Sequence, residues 1–204
     1  IYMIRITIIL LSLSSCSYIN YGQLPELIKS SYFGVDLTVD QSFYDSQEYS
    51  FMKINLGKSV VAIMVLSQVE DDRYTWISES NERIITQNGR IIETYGLTHD
   101  ARILNASNLN PVNEGNDSGV LLNLKSPSAI IQQHYSVKNI GQDNSYIHLT
   151  EDASLTLYLE MINTEVLKWT IENKYWLNKN NRVLRSEQHI HPKMPLIRLE
   201  FYYK

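Results

Sequence analysis

The dipeptide Asn88-Gly89 constrains this chain more than any other feature. It lies between runs of alternating apolar residues in TWISESNERIITQNGRIIETYGL, residues 75–97. A two-residue hairpin turn of type I′ needs positive φ at both central positions, and Asn followed by Gly meets that need with little strain. The segment therefore predicts a tryptophan strand, a second apolar strand, the turn, and a third strand closing on Gly96. A two-residue loop also sets the register. Gln87 is expected opposite Arg90, Ile85 opposite Ile92 and Arg83 opposite Thr94, with Thr86 facing Ile91 and Ile84 facing Glu93 on the other side. Apolar residues then fall on both faces. The motif alone specifies architecture and no chemistry.

The rest of the chain extends the same pattern. Residues 59–66, SVVAIMVL, are a nearly continuous apolar run of strand length, which predicts a strand buried on both faces. After the hairpin, residues 99–119 turn to Asn, Ser, Gly, Asp and Pro around a small apolar patch at Ile103-Leu104, which predicts a long loop or irregular connection. Short strand candidates follow at 120–124, 130–137 and 145–149. Leu155, Leu157, Leu159 and Met161 then alternate with Thr156, Tyr158 and Glu160, and Leu167, Trp169, Ile171, Tyr175 and Leu177 share one face of the next strand. A turn at 178–181 leads into residues 182–190, and Ile197, Leu199, Phe201 and Tyr203 alternate along a final strand. Trp76-Ile77 and Asn88-Gly89-Arg90 are echoed by Trp176-Leu177 and Asn180-Asn181-Arg182. The spacings differ, so the echo is recurring hairpin chemistry and not a duplicated domain.

One helix is predicted with its bounds: Asp40-Gln41-Ser42 caps an amphipathic run through Phe43, Tyr44, Phe51, Met52 and Leu56 that ends at Gly57, with a strand over 49–55 as the competing reading. The composition, 44% hydrophobic with 14 Tyr and 3 Trp, leans towards strands. Consecutive antiparallel strands with short turns protect their edges best by curling. The expected fold is mostly β, an antiparallel meander closed into a barrel-like or two-layer structure, with one or two short helices near the N-terminus.

The N-terminal residues read as a processing signal. Met3-Ile4-Arg5 supplies a positive region, and residues 6–13 are an apolar run too short for a permanent membrane helix of about twenty residues. It ends in Leu13-Ser14-Ser15-Cys16, which resembles the bacterial lipobox, where small residues precede a cysteine whose thiol carries the lipid. Cys16 is the one cysteine of the sequence, so it forms no internal disulfide, and lipidation accounts for an exported protein having a single thiol. Ser17 in place of Asp after the cysteine resembles the outer-membrane sorting pattern of Gram-negative lipoproteins. Several acyl chains, at about 0.8 kcal/mol per buried methylene, give stable attachment. The predicted organisation is a lipoprotein signal peptide at 1–15, a tether at 16–34 with a short helix after Pro25, and one mostly-β domain at 35–204.

The formal charge of −4, without a basic stripe, argues against nucleic acid as a partner. The sequence carries no Gly-rich phosphate loop, Cys/His metal cluster or nucleophile elbow. His189 and His191, at i and i+2 of a strand, would share one face, but two imidazoles without a third ligand are not a metal site. His99-Asp100 is too common a pair to name a catalyst. Tyr158, Tyr175, Trp176, Tyr202 and Tyr203 have the apolar face and polar edge that stack on sugar rings, against the alternative that strand-borne aromatics pack inside. The candidate glycan or partner contacts are Tyr158, Tyr175, Trp176, His189 and His191, with Cys16 as lipid anchor and no catalytic residue, metal ligand or cofactor.

Taken together, these segments resemble the bacterial lipoproteins of the YjbF/GfcB type, associated with group 4 capsule and exopolysaccharide export. The resemblance rests on the lipobox at Cys16 and on Trp76-Ile77-Ser78 with Thr86-Gln87-Asn88-Gly89-Arg90-Ile91-Ile92 and Thr94-Tyr95-Gly96-Leu97. It rests equally on residues 169–195, with an asparagine, Tyr175-Trp176, Arg182-Val183, Arg185-Ser186, Gln188-His189 and Pro195. Asn180-Asn181 stands where the family pattern often has a glycine turn, which Asn tolerates. The resemblance implies a barrel-like fold and an outer-membrane lipoprotein, facing the periplasm, that serves as a non-catalytic accessory in capsule or exopolysaccharide secretion or assembly. The implied partners are an outer-membrane β-barrel protein of the same export system and the surface polysaccharide. The competing expectations are a polysaccharide-binding module and a polysaccharide-modifying hydrolase using carboxylates such as Asp71 and Glu187, which retaining chemistry would need about 5 Å apart.

Overall fold

The computed structural model describes residues 37–58, 60–105, 110, 115–116, 119–151 and 154–204. The segments expected to be a signal peptide and a tether with a short helix after Pro25, together with Cys16, lie outside the described residues. A short helix α1 (Gln41–Ser46) leads into β1 (Phe51–Leu56), β2 (Val60–Glu70), β3 (Arg73–Ser78), β4 (Arg83–Gln87), β5 (Arg90–Tyr95) and β6 (Ala101–Ile103). There follow β7 (Gly115–Asn116), β8 (Val120–Leu124), β9 (Ala129–Asp143), β10 (Leu155–Thr164), β11 (Trp169–Leu177), β12 (Val183–Gln188) and β13 (Ile197–Tyr202). The sheet order is β10-β11-β12-β13-β1-β2-β3-β4-β5-β6-β8-β9, and β9 pairs back onto β10. Among the described residues this is a closed, wholly antiparallel barrel of twelve strands, with the two-residue β7 attached beside β9. Closure satisfies the backbone groups that an open meander would leave at its edges.

The predicted turn chemistry is present. Asn88 and Gly89 have φ of 49° and 75°, and Asn181 at φ 58° closes the β11–β12 turn. The Asn178 side chain holds that turn by accepting from the backbone N–H groups of Asn180 and Arg182, both at 3.0 Å. The hairpin register agrees with expectation for Gln87–Arg90 and Thr86–Ile91, then slips. Ile85 faces Glu93, Ile84 faces Thr94 and Arg83 faces Tyr95. A bulge at Ile92 absorbs the extra residue, which lets both Ile91 and Ile92 be buried on consecutive positions.

The largest core cluster fills the barrel under β1 to β5 and β11 to β13, including Met52, Ile54, Trp76, Ile84, Tyr175, Leu177, Leu199 and Phe201. Trp76 is completely buried and its Nε1 donates to Thr86 Oγ1 at 2.9 Å. Burial of a side chain of this class contributes about 1.5–3 kcal/mol. A second apolar layer lies outside the wall: Phe51 stacks on Tyr202 at 4.7 Å and meets Phe43 of α1 edge-on at 5.5 Å.

Five further expectations are corrected. The helix stops at Ser46, and the run to Gly57 is strand β1, in line with the competing strand reading, because Phe51–Leu56 pairs with both β2 and β13 and long-range pairing overrides the aromatic spacing. Strand β2 is one-sided: Met64 is buried, whereas Val65 and Val69 are exposed. Residues 99–119 contain the short strands β6 and β7, and residues 145–149 form no strand. Strand β10 is turned against its apolar alternation. Tyr158 lies against the core, Glu160, Ile162 and Thr164 are buried, and Met161 is exposed.

Candidate functional site

The reversed strand places a charge inside the barrel. Glu160 is completely buried and forms an ion pair with Arg90, which is also buried and follows directly on the Asn88-Gly89 turn. Glu160 also accepts from Asn173 Nδ2 and from the Tyr175 hydroxyl, both at 3.0 Å. The Arg90 guanidinium lies 5.0 Å from the Tyr135 ring centre. Gln188 joins the hairpin to this centre, accepting from the Ile91 N–H at 2.9 Å and donating to the Gly89 carbonyl at 2.8 Å. A cavity of about 20 Å³ beside Arg90, Gln133, Asn173 and Gln188 has the size that one water occupies. A buried charge needs a partner and hydrogen bonds, and here four elements, β5, β10, β11 and β12, supply them. This centre binds the two sequence stretches at 75–97 and 169–195 to each other; it is closed to a large ligand.

The sequence candidates divide accordingly. Tyr175 is completely buried, and burial raises its phenol above the ordinary value, so it stays a donor to Glu160. Tyr158 is half-buried, and its hydroxyl accepts from Asn139 at 3.1 Å. Trp176 is buried on the opposite face of β11 among Leu155 and Leu184, and its Nε1 donates to Asp143 at 2.7 Å. His189 and His191 follow the end of β12 instead of sharing a strand face. His191 is buried and stacks on His99 at 4.8 Å. Burial first, then the neighbouring His99 and Lys193, lowers its affinity for a proton. Among the described residues no group of three His, Cys, Asp or Glu is placed to hold a metal. Asp71 sits in the exposed β2–β3 turn, and Glu187 Oε1 is held by Arg185 at 2.8 Å and Arg198 at 3.3 Å.

An open groove lies on the outer wall. Strand register lines up Trp176, Arg185, Glu200 and Lys53 side by side across β11, β12, β13 and β1. Residues 144–151 pass over this row: Arg185 lies 4.4 Å from the Tyr146 ring, and the His148 ring lies 4.9 Å from that of Tyr202. Between that segment, the wall and residues Thr38-Val39 runs a groove of about 600 Å³. Lys53 and Glu200 form an ion pair at 3.8 Å in it, and the Tyr202 hydroxyl donates to Glu200 at 3.1 Å. Burial and the nearby Glu200 carboxylate push the Tyr146 and Tyr202 phenols well above their ordinary range, so both remain protonated. Burial lowers the His148 imidazole despite the pull of Glu200 and Glu151, which favours the neutral ring. Periodicity missed this groove because its residues come from four separate segments. The polar–apolar string Tyr146-Ile147-His148-Leu149 was the available signal, and it reads as a weak strand.

The fold and site define a closed antiparallel β-barrel domain with an ion pair at its centre and a polar groove on its wall. A family model described as "Group 4 capsule polysaccharide lipoprotein gfcB, YjbF" matches residues 34–202, and the chain belongs to that family. It is 24% identical over 107 residues to the "Uncharacterized lipoprotein GfcB" of Escherichia coli (strain K12), a match that takes in 52% of this chain and 50% of the relative. The chain thus spans about half the length of the curated relative it matches. The crystal structure of the hypothetical lipoprotein YmcC from Escherichia coli (K12) shares the fold, with a TM-score of 0.72 over 88% of this chain and 95% of that one at 15% identity.

Proposed function

We propose that this chain is an outer-membrane lipoprotein, anchored through lipid on Cys16 and facing the periplasm, that serves as a non-catalytic accessory in the secretion or assembly of a capsular or exopolysaccharide. The observation that carries this reading is the match of residues 34–202 to the group 4 capsule polysaccharide lipoproteins. The lipobox-like Leu13-Ser14-Ser15-Cys16 supports the anchor. The packing supports a scaffold role: the buried pair Arg90 and Glu160 holds strands together, and the carboxylates of Asp71 and Glu187 are an exposed turn residue and a partner of two arginines. A rigid barrel on a tether is suited to holding a partner near the membrane, and the expected partner is an outer-membrane β-barrel protein of the same export system.

The test is Cys16→Ser. The expected result is loss of the protein from the outer-membrane fraction together with a drop in surface polysaccharide. Unchanged fractionation and unchanged polymer would remove the reading.

A further inference from the structure

We propose that the outer-wall groove is a saccharide subsite that takes uncharged, hydroxyl-rich sugar residues of a polysaccharide. The inference deepens the accessory reading and rests on it for the polymer. It stands on three features of the groove. First, its volume of about 600 Å³ falls within the range of small-ligand sites and is far larger than the 20 Å³ interior cavity. Second, its polar groups are held in place before any ligand arrives. Glu200 is fixed by Lys53 and by the Tyr202 hydroxyl, and Tyr202 is clamped between Phe51 and His148. A carboxylate has about four acceptor positions, and these two partners leave acceptor capacity for vicinal sugar hydroxyls, with the Lys53 ammonium as a neighbouring donor. The Glu200 side chain keeps 24% of its surface open to solvent, so that capacity is reachable.

Third, the groove combines this polar floor with an apolar rim. Ile147 is 76% exposed and Leu149 is exposed beside it, while Tyr146 and His148, which alternate with them, turn to the wall. Sugars present hydroxyls at their edges and C–H groups on their faces, and an apolar rim over a polar floor matches both. Charge decides between sugar classes. Glu151 and Glu200 stand against Lys53 in the lining, and the neighbouring Arg185, which lies over the Tyr146 ring, is neutralised by Glu187 at 2.8 Å, so the groove carries a net negative charge that repels uronates and phosphates and accepts neutral rings.

The test uses the full-length protein purified in detergent, with three probes: oligosaccharide fragments of the producing strain's own surface polysaccharide, maltohexaose, and a galacturonate hexamer. Binding is measured by calorimetry and by methyl NMR of Ile147. The expected result is that the native fragments bind and shift the Ile147 methyl signals, that Glu200→Gln weakens this at least tenfold, and that the galacturonate hexamer binds worst. Ile147→Ser, a surface change that leaves the barrel intact, is expected to weaken binding severalfold. Native fragments that leave Ile147 unshifted, equal binding by wild type and both variants, or a preference for galacturonate would each overturn the assignment. If the fragments fail to bind while Cys16→Ser still lowers surface polymer, the groove assignment is lost and the accessory role stands. If groove binding is seen but Cys16→Ser changes nothing, the accessory role is lost instead.

Discussion

Glu160 sits on the inward face of a strand whose leucines point outward, and the groups around it explain why that orientation is stable. Arg90, Asn173 and Tyr175 converge on one carboxylate. Leu155 and Leu157 on the other face are covered by Trp176, Leu184 and Tyr146. Removing one partner of a buried pair leaves the other charge uncompensated, which costs about 3–5 kcal/mol. Glu160→Gln is expected to destabilise the barrel by that amount in urea unfolding. Arg90→Met with Glu160→Met is expected to recover much of it, with a remaining loss of about 1–3 kcal/mol from the orphaned Asn173 and Tyr175 donors. Equal loss in the single and double variants would show that the pair is not the organising contact. The histidines add a pH dependence. His148, His189 and His191 all have folded-state affinities for protons below the ordinary value of 6.5, with burial as the main cause. Their neutral forms favour the fold, so this stability is fully present above pH 6.5 and is lost as pH falls below it, where the unfolded chain binds protons first. The melting temperature is expected to fall from pH 7 to pH 5, and His148→Asn to flatten that fall; an unchanged slope would contradict the assignment.

At the scale of elements, the β4–β5 hairpin acts as a wedge against β12. The Gly89 carbonyl accepts from Gln188, and a Cβ built on Gly89 would lie 2.4 Å from Val183 Cβ. Gly89→Ala therefore meets both a positive φ and a neighbour with no room to move, and a loss of at least about 2 kcal/mol is expected in chemical denaturation. A loss below half that would show that the hairpin tip is free to shift. The Asn88-Gly89 turn was legible because its signal is local, two residues whose backbone preferences suffice. The same holds for β13, whose Ile197, Leu199 and Phe201 are completely buried as their alternation implied. Misread elements were those decided by distant partners. Phe51–Leu56 follows helical spacing but is strand because β2 and β13 flank it, and β10 is inverted because Arg90 reaches it from the hairpin. The Ile92 bulge and the groove were invisible for the same reason: neither is a property of a contiguous segment.

At the scale of the whole molecule, closure of twelve strands among the described residues gives a barrel whose interior is committed to its own stability. Function then belongs to what the wall presents and to what holds the barrel at its place of work. Membership of the group 4 capsule polysaccharide lipoproteins is consistent with a capsule-related role, and the Cys16 anchor with the wall groove is the proposed means. A strain lacking this chain and carrying no other change tests that account most directly. Polymer at the cell surface and polymer retained within the cell are measured separately. The account predicts that surface polymer falls while retained polymer of the same repeat unit rises, and that the wild-type gene restores both. Surface polymer at the wild-type level, with nothing retained, would contradict it.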